Sequence, residues 1–152
     1  MVKENKAPEA MNDKFLELIR DPKRIEVLPD GWFCDHLHGI DRAPLELIKN
    51  IYPSEAEEYM KSLDPSAVLP DNYQAFSLFD YERSPIIIEP FAKIPTDDWY
   101  LTRTPVKGHP DLVRAVSFGS GDLGYLGFRY NSLYVWPVRP SQYKKFNSLP
   151  VR

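Results

Sequence analysis

The segment Cys34-Asp35-His36-Leu37-His38-Gly39-Ile40-Asp41 gathers the only thiol and two of the three histidines in the chain. Thiolate and imidazole are donors that suit zinc. On an extended strand, where side chains alternate, Cys34, His36 and His38 would face one side. A catalytic metal site needs three protein ligands and an open position, with His109 as a remote further ligand and Asp35 or Asp41 as base. The activity that follows is metal-dependent hydrolysis, and it stands as the alternative. The spacing matches no established metal motif, and the simpler reading is a turn ahead of a helix with both histidines hydrogen-bonded or half-exposed. No cofactor is expected on that reading.

Other motifs carry less. Gly119-Ser120-Gly121-Asp122-Leu123-Gly124 fits G-x-G-x-x-G formally, but a phosphate cradle needs a helix after the glycines, and an alternating, strand-like run follows. It reads as a hairpin turn. Glu89-Pro90-Phe91 approaches the sugar motif E-P-N of calcium-dependent lectins, yet Phe91 is apolar and no W-N-D triplet follows, so no oxygen cage for calcium can be assembled. There is no G-x-S-x-G nucleophile elbow. Asp97 and Asp98, adjacent on a strand, would point to opposite faces, and Glu55, Glu57 and Glu58 read as a solvated helix face.

The chain that must position these groups has 152 residues, 43% of them apolar. That length fits one domain able to bury about two-thirds of its unfolded surface. A single cysteine excludes an internal disulfide framework and favours a reducing compartment. No apolar run approaches the roughly 20 residues of a membrane helix, and the N-terminus lacks the apolar centre of a signal peptide. A soluble, cytoplasmic protein with no membrane partner is expected. Residues 1–76 hold 9 Lys/Arg against 15 Asp/Glu, and residues 77–152 hold 10 against 7. Without a concentrated basic stripe, nucleic acid is not an expected partner.

Fifteen prolines, roughly twice ordinary usage, leave little room for long helices. Residues 1–11 are expected to be a disordered tail. Residues 12–152 read as one α+β domain, helical over 12–66, an antiparallel sheet over 67–140 and a C-terminal tail over 141–152. Asn12 can cap a helix over Asp13–Arg20, and Ile25–Asp30 reads as a short strand and turn. Asp41 as cap, Pro44 in the first turn, and Leu45, Ile48 and Tyr52 at helical spacing predict a second helix. Ser54 and Glu57 form a capping box for a third, running to about Leu63. Strands are then expected at Tyr73–Phe79, Ile86–Ile88, Trp99–Thr104, Leu112–Phe118, Leu123–Tyr130 and Leu133–Val138, the last three as a meander.

Two of these segments carry a resemblance. Tyr134-Val135-Trp136-Pro137-Val138-Arg139 matches five of six positions of a terminal Y-V-R-P-V-R-like strand. Upstream, Trp99-Tyr100 and Thr104 match the ends of a W-Y-x-x-x-T-like strand, and Val116-Ser117-Phe118 before Gly-Asp-Leu-Gly is similar to a V-D-F-S-x-G-x-V hairpin. Residues 85–140 thus resemble the Lcl C-terminal domain family, whose fold is C-type lectin-like. Arg42-Ala43-Pro44 gives a fainter echo of the family's R-L-P. The resemblance implies short N-terminal helices followed by a twisted antiparallel meander. Its implied function is a non-enzymatic binding module for a protein partner or, without calcium, a glycan. The family's occurrence in phage and bacterial proteins implies an effector or inhibitor role. Trp99, Tyr100, Arg103, Tyr125, Arg129 and Tyr130 form the expected binding face. Nothing in the sequence requires a dimer.

Overall fold

The computed structural model describes residues 14, 16–127 and 131–142. The expected N-terminal tail, Arg129, Tyr130 and most of the C-terminal tail lie outside them. In chain order the strands are β1 (Ile25–Val27), β2 (Phe33–Asp35), β3 (Ile40–Arg42), β4 (Lys49–Ile51), β5 (Tyr100–Pro105), β6 (Leu112–Ser117), β7 (Asp122–Gly127), β8 (Leu133–Val135) and β9 (Val138–Pro140). The helices are α1 (Pro53–Leu63) and α2 (Asn72–Phe76), preceded by a helical turn at residues 16–19. The fold is α+β, as expected. Its sheets are antiparallel except for one parallel pair, Tyr100 against Tyr134. Among the described residues no helix is long and apolar enough to cross a membrane.

The first sheet has the order β1-β2-β3-β9 and the second β4-β8-β5-β6-β7. The expected meander is therefore broken. β6 and β7 form a hairpin, but β8 leaves β7 at the sheet's edge and inserts between β4 and β5. Nor is Leu133–Val138 one strand. Trp136-Pro137 interrupts it, and the chain passes from β8 in one sheet to β9 in the other, which ties the two sheets together. Proline has no amide to give a ladder, and the break falls on it. Trp136 fills the corner, donating from Nε1 to the Ala43 carbonyl at 2.8 Å and meeting Phe91 edge-on at 5.0 Å. Phe91 in turn meets Phe33, and Tyr100 meets Phe118, both at 5.1 Å.

Part of the expected helical half, residues 12–66, is strand. The helix predicted from Asp41 does not form. Asp41 and Arg42 lie in β3, Leu45–Leu47 is one 3-10 turn, and Lys49–Ile51 is β4. Proline disfavours helix at the residue before it, here Ala43, and Pro44 itself is extended at φ −54°, ψ 147°. Buried ion pairs made by Asp41 and Arg42 hold the strand (below). α1 forms as expected, with Ala56 and Met60 inward. Its start differs: Pro53 takes the first helical position, and Glu55, not Glu57, accepts the Tyr52 amide at 3.2 Å.

The strand expected at Tyr73–Phe79 is α2 with its following turn. Asp71 accepts from the Gln74 amide at 2.7 Å while Gln74 Oε1 accepts the Asp71 amide at 3.0 Å, the reciprocal capping that starts a helix. Ile86–Ile88 joins no ladder. It is a buried bend fixed by single bonds from the Ile86 amide to the Phe118 carbonyl and the Ile88 amide to the Leu78 carbonyl, both 2.9 Å. Trp136→Ala should cost about 3–5 kcal/mol, as aromatic truncation in a core does, measured by urea unfolding. A loss below about 1 kcal/mol would show that the corner does not join the sheets.

Candidate functional site

β2 ends on a buried carboxylate. Asp35 Oδ1 accepts from Arg24 Nε at 2.8 Å and Oδ2 from Arg24 Nη2 at 2.9 Å. Arg42 adds Nε and Nη2 to Oδ2 at 3.1 and 2.7 Å. All three side chains are buried. Burial alone would raise the Asp35 carboxyl, but the Arg42 and Arg24 guanidinium groups outweigh it and bring it down to about 2. The two cations exceed the one anion, and backbone carbonyls take several of the further donors. Arg24 Nη1 reaches Ile19 O at 3.2 Å and Ser77 O at 3.0 Å, and Arg42 Nη2 reaches Gln74 O at 2.7 Å. A carboxylate so saturated has no lone pair left for a metal or a substrate proton.

A second cluster flanks it. Arg139 meets three carboxylates: Asp41 at 3.0 Å, Asp64 at 3.1 Å and Asp30 at 2.7 Å. Its guanidinium lies 4.0 Å over the Trp32 ring. Asp41 and Arg139 are register partners across β3 and β9, so this cluster clamps the first sheet to the strand that arrives from the second.

Cys34, His36 and His38 do not converge. The strand ends at Asp35, and residues 36–39 turn. Cys34 Sγ is 3.7 Å from His36 Nδ1, and His36 Nε2 is 2.9 Å from Glu26 across the hairpin. His38 leaves toward α2, with Nε2 2.8 Å from Ser77 Oγ. Burial pushes the Cys34 thiol up and the His38 imidazole down. His109 sits exposed in the β5–β6 loop. Among the described residues no set of three His, Cys, Asp or Glu is arranged to hold a metal ion. The His38–Ser77 contact was not foreseen. Ser77 Oγ also lies 3.1 Å from Gln74 O and receives Arg24 Nη2 at 2.9 Å, which ties it into the buried charge network.

The expected binding face is also redistributed. Tyr100 is core: its hydroxyl donates to the Pro95 carbonyl at 2.6 Å, and burial raises its phenol. Trp99 is half-buried against Gly124, where an added Cβ would come within 3.1 Å of the indole. Arg103 is exposed but engaged, donating to the Leu69 carbonyl and lying 3.7 Å from Asp71. Tyr125 is exposed as expected. The Asp97-Asp98 pair is occupied. Tyr134 donates to Asp97 at 2.6 Å, a bond that pushes the Tyr134 phenol up to about 12, and Asp98 accepts the Trp99 amide at 2.7 Å.

What remains open is a groove of about 520 Å³ between Leu16 and Ile19 of the helical turn, Phe76 of α2, Phe79 and Tyr81 beyond it, and Leu123 of β7. Ile19 and Glu82 also line a neighbouring charged pocket of about 510 Å³. Charged side chains hold the groove's walls. Arg24 grips the carbonyls of Ile19 and Ser77, and Arg20 holds Asp80 at 2.6 Å. Gly121, at φ +73°, lets Tyr81 close on the hairpin: a Cβ there would stand 2.5 Å from the ring, whose hydroxyl donates to Gly121 O at 2.7 Å. Sequence reasoning missed this site because its residues span positions 16 to 123 with no shared motif. Comparison with protein-family models, known proteins and solved structures finds no match to this chain.

The depressed Asp35 carboxyl fixes a pH dependence. Its ordinary value is about 3.9, so its stabilisation is complete above about pH 4 and is lost as pH falls through about 2. Asp35→Asn should cost about 3–5 kcal/mol at pH 7 by leaving two buried cations under-compensated, and the gap from wild type should shrink on acidification from pH 5 to 2. Unfolding curves that stay equally far apart at every pH would contradict the pairing.

Proposed function

We propose that the protein is a non-enzymatic binding module that receives a protein partner in the groove between the helical turn, α2 and β7. The observation that carries this reading is the apolar floor left open beside Tyr81, Leu123 and Tyr125, which are 66%, 51% and 57% exposed. Clustered exposed apolar side chains of this kind mark interaction sites, and tyrosine is favoured in them. The Asp35 carboxylate, saturated by two guanidinium groups, favours binding over catalysis. The C-type lectin-like resemblance of residues 85–140 supports the same class by analogy, with a phage or bacterial effector or inhibitor as the biological setting. Fold likeness alone does not assign function, and the groove is the stronger support.

Substituting the floor should separate binding from folding. In affinity capture from the native host's lysate read by quantitative mass spectrometry, Leu123→Lys should lose a partner that wild type and Arg103→Glu retain, while its Tm stays within a few degrees, as for an exposed position. A partner lost with Arg103→Glu and kept with Leu123→Lys would move the interface to the β5 side and refute the groove.

A further inference from the structure

We propose that the groove's occupant is an extended, basic segment of a partner protein, added as a strand to the outer edge of β7. The proposal rests on the binding reading above and names the partner's chemistry.

Topology supplies the first argument. β7 ends the second sheet and pairs with β6 along its whole length, from Leu112↔Gly127 to Ser117↔Asp122. Among the described residues no strand pairs with its other side, although at its far end the Gly127 carbonyl accepts from Asn131 Nδ2 at 3.0 Å. An edge strand presents unpaired amides and carbonyls there, a template for another strand. Proteins usually blunt such an edge with lysine, proline or an inward charge. Asp122-Leu123-Gly124-Tyr125-Leu126-Gly127 has none of these, its single charge lying at the end where the strand begins.

Register supplies the second. Tyr100 pairs with Val116, and Val116 with Leu123, so Leu123 and Tyr125 stand on the face that Tyr100 and Val116 bury in the core. That face, apolar at Val116 and Leu123 and carrying Arg114 opposite Tyr125, runs past its cover at β7 and continues into the groove. A strand laid beside β7 would set every second side chain on this face, next to Leu123 and Tyr125 and above Phe79 and Tyr81. Backbone bonding and apolar anchoring are then met by one extended segment with alternating apolar residues.

Charge supplies the third. The adjoining pocket carries the carboxylates of Asp21, Asp80, Glu82 and Glu89 against the guanidinium groups of Arg20 and Arg83. Arg20 is held by Asp80 and Glu82, which leaves the pocket net acidic. Lysine or arginine on the partner fits that rim. A second copy of this chain would bring a like acidic rim instead, so it suits the site less well.

The test is selection of a random peptide library of about 12 residues, long enough for one strand, on the full chain, with counter-selection on Leu123→Lys. Enriched peptides should alternate apolar residues with period two and carry an excess of Lys/Arg. A synthetic consensus should bind about tenfold more weakly to Leu123→Lys and several-fold more weakly to Glu89→Lys. N-methylation of alternate amides should weaken it about tenfold as well, because edge pairing needs those donors. Enrichment of helically spaced or acidic peptides, or indifference to N-methylation, would overturn strand addition while leaving the groove as a binding site. The absence of any Leu123-dependent peptide would overturn both. A chain that dimerises in solution through this face, with peptide and dimer in competition, would make a second copy the occupant and refute the proposal.

Discussion

The Asp35 carboxylate, buried between Arg24 and Arg42, is the contact on which the arrangement turns. Removing three charged side chains from water is costly, and their mutual attraction offsets the cost only when further hydrogen bonds are well placed. Here several are. Arg24 reaches back to the helical turn at Ile19 and across to Ser77, Arg42 reaches to Gln74 at α2, and Asp35 anchors both from the end of β2. Two segments more than 50 residues apart in sequence are thus brought to one carboxylate. Apolar contacts alone would be less selective about this register, since they have no direction.

The groove is a consequence of that geometry. Its one wall hangs from the Ile19 carbonyl and its other from the chain that leaves Ser77, so the same guanidinium sets the distance between them. The second cluster, Arg139 with Asp30, Asp41 and Asp64, fixes where β9 joins the first sheet, and Trp136 fixes where β8 leaves the second. Charge therefore builds the frame, and most of the frame's charged atoms are paired in doing so, the buried Asp41 Oδ1 being an exception. The surface left for recognition is apolar and aromatic, at the edge of the second sheet.

Much of the frame was legible in the sequence. Ala56, Met60 and Leu63 at helical spacing mark α1, and the Gly119–Asp122 turn marks the β6–β7 hairpin. Where the reading failed, buried charge or a local cap had overridden the hydrophobic pattern. Asp41 and Arg42 look like the start of a helix because charged residues are rarely core, yet both are buried in β3. Tyr73 to Phe79 alternates in bulk like a strand, but the Asp71–Gln74 capping pair, visible in the sequence, decides for helix. Tyr134–Arg139 reads as one strand because nothing in its alternation shows that Pro137 hands it to another sheet. The groove was illegible for a simpler reason: Leu16, Phe76, Tyr81 and Leu123 meet only through long-range pairing, and Tyr100, expected on the surface, is drawn into the core between Phe118 and Trp136.

The most direct test of this account is a double-mutant cycle across Asp35 and Arg42, using Asp35→Leu, Arg42→Met and the pair, read by urea unfolding at neutral pH. If the buried charges act as one unit, each single substitution destabilises by several kcal/mol. The double should then be less destabilised than the sum by about 2 kcal/mol or more, within the range for contacting residues in one network. Strict additivity would contradict the account, because it would mean that Asp35 and Arg42 contribute independently and that the walls of the groove are set by something else.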